Sequence, residues 1–266
     1  MSHSVIPLDL AGSIVTMAVI AVDLVAVTQA LSGSFARRLV TAAAGGGWVG
    51  LAVYLGASGR LAFSPNLPAP LIGVLFAVPL LTAGVLALTS EKVGASLLGI
   101  PPQLLVSLNA MRILGVLFLL DFIAGSLSGP FPFFAGLGDM ITGALAIPLA
   151  IGIARSKEPS VRTIAGWNAF GTLDLIVAVG LGITSAAGSP LQLIHAGVGS
   201  QAMQYLPLSL VPTVLVPFYL LTHAIVAAQL RVRSRAVHTT PAASSAQQVL
   251  SLTSPAPEEA PHVRTS

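Results

Sequence analysis

No cysteine occurs in the 266-residue chain, and charged residues are nearly as scarce, at 8% of the total. The first absence excludes disulfides, thiolate metal sites and a cysteine nucleophile. The second excludes a soluble globule, which carries roughly 25% charged residues and needs them to cover its surface. Catalytic signatures are missing too. There is no Gly-x-Ser-x-Gly elbow and no phosphate-binding Walker loop. There is no His-x-x-His, and the one Glu-x-x-His, "EAPH" at 259–262, has a proline inside it. No metal and no cofactor are therefore expected. His223, the one histidine in an expected span, lacks the second histidine that a bis-histidine haem needs. The net charge of +3 does not indicate nucleic acid, because where the basic residues fall matters more than their sum.

What is present is hydrocarbon. Hydrophobic residues make up 55% of the chain, and the mean hydropathy of +0.90 points to a polytopic membrane protein. A bilayer core of about 30 Å takes roughly 20 mainly apolar helical residues. Segments at about 10–31, 39–57, 69–89, 104–125, 133–153, 164–185 and 207–228 meet that need. Their apolar runs do not alternate with polar residues as barrel strands must. The expected fold is all-α, a transmembrane bundle of about seven helices. "MSHSVIPLDL" at the start has no basic n-region and no cleavage site, so the first apolar stretch is expected to stay as a membrane helix. Lipid anchoring is not expected, since Ser2 stands where myristoylation needs glycine.

Basic residues give an orientation. With the N-terminus outside, the inner segments hold Arg37, Arg38, Lys92, Arg155, Lys157, Arg162, Arg231, Arg233, Arg235 and Arg264, and the outer ones hold Arg60. That bias predicts an N-out, C-in topology. "SEKVGASLLGIPPQ" (90–103) is mildly amphipathic and suits the inner surface. "AAGSPLQLIHAGVGSQAMQYLP" (186–207) is too polar for an eighth span and is expected as an outer loop capping the bundle. Beyond the transmembrane domain (1–230), the Ser, Ala, Pro and Thr of 231–266 predict a disordered cytoplasmic tail. Gly46 and Gly50 make a small-xxx-small pair, read first as packing within the bundle and otherwise as the face of a homo-oligomer.

Charged residues inside the spans carry the functional reading, because each costs about 2.5–3.5 kcal/mol at mid-bilayer and persists when paired, interior or wet. Counting about 1.5 Å per helical residue sorts them by depth. From the inner boundary, Asn168 is expected at about 6 Å, His223 at about 8 Å, Asp23 and Arg112 at about 12 Å, and Asp174 at about 15 Å. These form a candidate intramembrane polar site in which Arg112 pairs with Asp174 or Asp23 and His223 is the titratable partner. Asp121 and Asp139, about 6–9 Å from the outer boundary, form a candidate outer carboxylate pair. Two facing buried carboxylates are costly to keep both ionised, which suits a proton relay or a cation site. Against both stands a purely structural role, since a buried ion pair also sets helices in register. The fifth and sixth spans echo each other, Gly136-x-x-Asp139 and Gly171-x-x-Asp174. In the last span, Pro212 and Pro217 precede His223. Interior prolines remove backbone hydrogen bonds, and the freed carbonyls must be satisfied by neighbours or water.

"MRILGVLFLL", "GPFPFFAGLGDMITG", "AGWNAFGTLDLIVAVGLG" and "LVPTVLVPFYLLTHAIVAAQL" resemble a family of bacterial polytopic integral membrane proteins with no assigned biochemical role, over about residues 105–230. The resemblance implies a multi-pass helical protein of a bacterial inner membrane and brings no substrate, cofactor or catalytic residue. The leading expectation is a membrane protein that binds or conducts a small solute or proton through its polar interior. The runner-up is a non-catalytic scaffold or accessory subunit whose intramembrane pairs only specify packing. A membrane enzyme, with a pocket near His195 and Tyr205, ranks third.

Overall fold

The computed structural model describes residues 5–31, 33–63, 71–155 and 160–253, with side chains from 11 to 235 within those ranges. Its helices are α1 (Val5–Ala30), α2 (Phe35–Ala57), α3 (Leu71–Thr89), α4 (Glu91–Leu98), α5 (Pro102–Leu108), α6 (Val116–Ile123), α7 (Phe131–Arg155), α8 (Val161–Ser185) and α9 (Val216–Thr253). Seven helical stretches among the described residues are long and apolar enough to cross a membrane. The fourth is composite, Pro102–Ile123, with a 3-10 stretch (Asn109–Gly115) joining α5 to α6. The seventh opens with a π-helical turn (Val211–Leu215) that leads into α9.

Burial is inverted relative to a soluble protein. Leu88 is 90% exposed and Leu81 65%, whereas Arg112 and Asp23 are each 2% exposed and His223 1%. Apolar groups face outward where lipid is their solvent, and polar groups turn inward to find partners. Within Met1–Ala227, one of two compact units, α7 packs along the whole composite fourth span and against α8. The π turn packs on α2 and α3. The second unit, Ala228–Ser266, is helical as far as Thr253. An irregular tail is expected there from Arg231. A composition unable to build a core still permits a helix, because Ala, Gln, Arg and Leu form helices readily. Residues 254–266 lie outside the described ones.

Glycine decides how closely α7 meets the fourth span. A Cβ added at Gly143 would stand 2.5 Å from the Ile113 amide nitrogen and 3.0 Å from the Arg112 carbonyl carbon. One added at Gly115 would stand 2.7 Å from the Gly136 carbonyl oxygen. The backbones touch there, as small residues allow in lipid. Gly46 and Gly50 do not supply such contacts, which corrects the first reading of that pair. An added Cβ would meet nothing within 4 Å at either position, because that face of α2 is open.

The other local expectations resolve as follows. Residues 91–98 form α4, capped by Ser90, whose hydroxyl accepts from the Val93 amide. Most of 186–207 folds over one end of the bundle. Ser128 ties it to Ala196 and Gly199, Ser200 donates to the Gly182 carbonyl at 2.5 Å, and Met203 joins Phe118, Leu127 and Phe131 in an apolar cluster. α2 starts at Phe35, four residues before the expected 39, because the Ser34 hydroxyl accepts from the Arg37 amide and caps an earlier start. Pro217 removes the amide that would have bonded the Thr213 carbonyl. The Trp48 indole N–H donates to that carbonyl instead, at 3.1 Å.

Candidate functional site

Arg112 sits in the 3-10 stretch with its side chain fully buried. Its Nε donates to Asp139 Oδ1 at 2.7 Å and its Nη2 to Asp174 Oδ2 at 2.5 Å. Nη1 lies 2.9 Å from His223 Nε2 and 3.5 Å from Asn109 Oδ1, and both terminal nitrogens reach the Gly171 carbonyl at 3.4 Å. All the N–H groups of the guanidinium thus find acceptors, as burial requires. A 3-10 stretch inside a span is a departure that often marks a functional element.

The partners fix one another. A guanidinium is always a donor, so His223 Nε2 must accept, and Nδ1–H then donates to Asn168 Oδ1 at 2.9 Å. This defines a neutral imidazole in its Nδ1–H tautomer. Trp167 lies against that ring at 5.0 Å between centroids and anchors itself by donating to the Thr142 carbonyl at 3.1 Å. Asn109 donates to the Leu105 carbonyl and to Thr222 Oγ1, at 2.9 and 3.0 Å, linking the fourth span to α9. Glycine makes the room. A Cβ at Gly138 would overlap the Asp174 carboxylate, and one at Gly171 would stand 2.6 Å from His223 Cε1.

Asp23 stands apart. It makes no ion pair with Arg112. Its Oδ2 accepts from the Tyr219 hydroxyl at 3.2 Å, and its buried Oδ1 has no hydrogen-bond partner. Tyr219 lies between the two groups, with Arg112 Cζ 5.8 Å from its ring centroid. Beside Arg112, Asp139 and Tyr219 is a cavity of about 70 Å³, walled also by Thr16 and Val19 of α1 and by Val211 and Leu215 of the π turn. A water occupies about 30 Å³ of liquid, so the space suits about two waters.

The structure brings Arg112, Asn168, Asp174 and His223 together and sets Asp23 one residue away, behind Tyr219. It moves Asp139. Expected opposite Asp121, Asp139 is bonded to Arg112 instead, while Asp121 stands partly buried near the end of α6. The error was one of depth. α7 begins at Phe131 rather than 133, which puts Asp139 about 12 Å along its helix instead of about 9 Å. Asp139 and Asp174 also lie about as far before the α7–α8 connection as after it, so an antiparallel pair brings them level. Their repeated Gly-x-x-Asp was the available signal, since both aspartates of the echo bond one arginine and both its glycines are close-contact positions. Sequence reasoning missed Asn109, Trp167, Thr222 and Tyr219. The spacing of Asn109 from Arg112 (i, i+3) and of Tyr219 from His223 (i, i+4) could have flagged two of them.

A domain of unknown function, DUF8737, matches residues 69–231, more than half of the chain. The chain belongs to the DUF8737 family. The DUF8737 match starts about one helix earlier than the expected resemblance and takes in α3. It includes Arg112, Asp139, Asn168, Asp174, Tyr219 and His223 and leaves Asp23 outside. No curated protein and no solved structure matches the chain. Within this DUF8737 protein, no group of three or more His, Asp or Glu side chains among the described residues is placed to hold a metal ion. His195 and Tyr205 are absent from the lining of the Arg112 cavity.

Proposed function

We propose that this multi-pass membrane protein binds a proton at the carboxylates that share Arg112 and relays it through the bundle interior towards Asp23. The observation that carries this is the charge count. One guanidinium is bonded to two carboxylates, at 2.7 and 2.5 Å, so full ionisation would leave a net negative charge in the bundle interior. An unbalanced buried charge is expensive, and a bound proton removes it. The cavity of about 70 Å³ beside Asp139 and Tyr219 has room for the waters that carry protons. Tyr219 already donates to Asp23, whose second oxygen lacks a donor. The cavity is too small for an organic solute, which narrows the ligand to a proton or a small cation.

The proposal includes an N-out, C-in orientation in a bacterial inner membrane, as the basic residues and the resemblance imply. The test is proton flux into liposomes carrying the purified chain, read by an enclosed pH-sensitive dye under a potassium-diffusion potential. Flux above protein-free liposomes, lost in Asp139→Asn and Asp174→Asn, is the expected result. Wild-type protein that is folded and inserted yet passes no protons would overturn the relay. A second reading, a scaffold or accessory subunit, has its own support: Gly143, Gly138 and Gly171 close the helices tightly around the pairs. A purely structural cluster predicts no flux in any variant.

A further inference from the structure

The seam between α7 and α8 opens outward into two apolar grooves that share Phe170. One, of about 660 Å³, runs past Pro148 and Gly152 of α7 and Thr163 and Trp167 of α8. The other, of about 350 Å³, is walled by Phe133, Phe134, Leu137 and Leu173, with Asp174 as its charged lining residue. Both volumes fall within the range of about 300–1,000 Å³ usual for small-molecule sites.

Asp174 is half satisfied. Its side chain is 7% exposed, and its Oδ2 is held by Arg112. Among the described residues, no group donates to Oδ1, which rests over Gly138 at the groove. A carboxylate oxygen that looks onto hydrocarbon has no bulk water to supply a donor, and leaving it unmet is costly. Trp167, Phe170 and Asp174 stand at i, i+3 and i+7 on α8, so they share one face of the helix. About 10 Å along the axis separates Trp167 from Asp174. The oxygen and both grooves therefore form one continuous strip.

We infer that this strip binds, from the bilayer, an apolar chain that ends in a hydroxyl. The hydroxyl donates to Asp174 Oδ1, and the chain lies past Phe170 in the longer groove against Trp167. An acidic head is disfavoured, because its anionic oxygen would face Asp174 Oδ1, an acceptor with no donor of its own. A neutral donor fits. The planar walls of Phe133, Phe134 and Phe170 accept a phenol ring as readily as a plain alkyl head. This site stands on the geometry of Asp174 Oδ1 and the grooves; it takes the proton shared at Arg112 to rest on Asp139, which lines the cavity, and does not need that proton to move.

The test uses the chain in nanodiscs, with an alkylphenol and an alkanol as separate probes, each brominated on its chain so that it quenches a tryptophan it touches. Trp167 lines the groove, and Trp48 is the second tryptophan. Saturable quenching by either probe, absent in Trp167→Phe, is the expected result, and the probe that binds tells a phenol source from an aliphatic alcohol. The methyl ether of the same probe should bind at least about tenfold more weakly, because it cannot donate to a charged acceptor. Gly152→Leu fills the longer groove from a position with nothing within 4 Å and leaves the ion pairs untouched. It should abolish quenching in folded protein. An ether as potent as the phenol, no saturable quenching by either hydroxyl probe, or full quenching in Gly152→Leu would each overturn the site.

Discussion

Arg112 answers to two carboxylates, and that arrangement predicts how their removal combines. Asp139→Asn alone leaves the guanidinium balanced by Asp174, and the new amide oxygen still accepts from Nε. Asp174→Asn does the same in mirror image. Each change replaces the proton-sharing pair by one carboxylate and one amide while keeping both bonds, so each should cost about 1 kcal/mol. The double variant leaves the buried guanidinium without a counter-charge, a situation that costs about 3–5 kcal/mol. The double loss should exceed the sum of the singles by about 1–3 kcal/mol, the coupling expected of groups in one network. A chain of this size loses about 2–4 °C of unfolding midpoint per kcal/mol. The singles should then fall by about 2–4 °C and the double by roughly 6–20 °C. Thermal unfolding in detergent, followed by tryptophan fluorescence with size-exclusion chromatography as a check on aggregation, reads this directly. Additive losses, or a single variant as damaged as the double, would refute the shared counter-charge.

Three further outcomes follow from particular contacts. Gly143→Ala drives a methyl group into the backbone of the 3-10 stretch and should cost about 1–3 kcal/mol of overpacking; Gly46→Ala, placed in open space inside α2, should not lower the same unfolding midpoint. Tyr219→Phe strips the donor from Asp23 Oδ2 and leaves both its oxygens unmet, at a cost of about 1–3 kcal/mol. That loss should shrink when Asp23→Leu is added, as unfolding of the double variant would show. Orientation is read with single cysteines, since the chain has none. An impermeant thiol reagent applied to intact cells should label a cysteine at Ser58, near Arg60, and spare one at Ser234; the reverse pattern would invert the proposed topology.

The membrane-spanning fold was legible because hydrophobicity acts over some twenty residues at a time and survives errors of a few positions. That Arg112 pairs with an intramembrane aspartate, Asp174 or Asp23, was legible because Arg112 is the basic residue in the middle of a span, and a buried cation must find an anion; the choice between the two was not. Asp139 was not, since its place depends on where α7 starts and on the level reached by its antiparallel neighbour. An error of two residues moves a side chain about 3 Å, the difference between partner and bystander. Tyr219 and Asn109 carry no charge and so gave no warning of their depth, although they connect the cluster to Asp23 and to α9. Glycines gave the weakest signal. Gly143 and Gly46 look alike in a sequence with 26 of them, and only the neighbour across the interface separates a contact that sets a helix spacing from an open face. The 3-10 stretch at Asn109–Gly115 had no signature of its own. It coincides with the place where Gly115 and Gly143 let α7 and the fourth span approach, a contact between segments far apart in sequence.

The central claim is that the two carboxylates on Arg112 hold a proton between them, and infrared spectroscopy of the carboxylic C=O stretch tests it most directly. Spectra of the purified protein at neutral pH, in water and in deuterium oxide, should contain a deuterium-sensitive band of a protonated carboxylic acid. In the Asp23→Leu background, which removes the other deeply buried carboxyl, Asp139→Asn and Asp174→Asn should each remove that band, because the remaining carboxylate then balances Arg112 as an anion, and Asp121→Asn should leave it in place. An Asp23→Leu spectrum without such a band, or one whose band survives in both variants, would contradict the proton at Arg112.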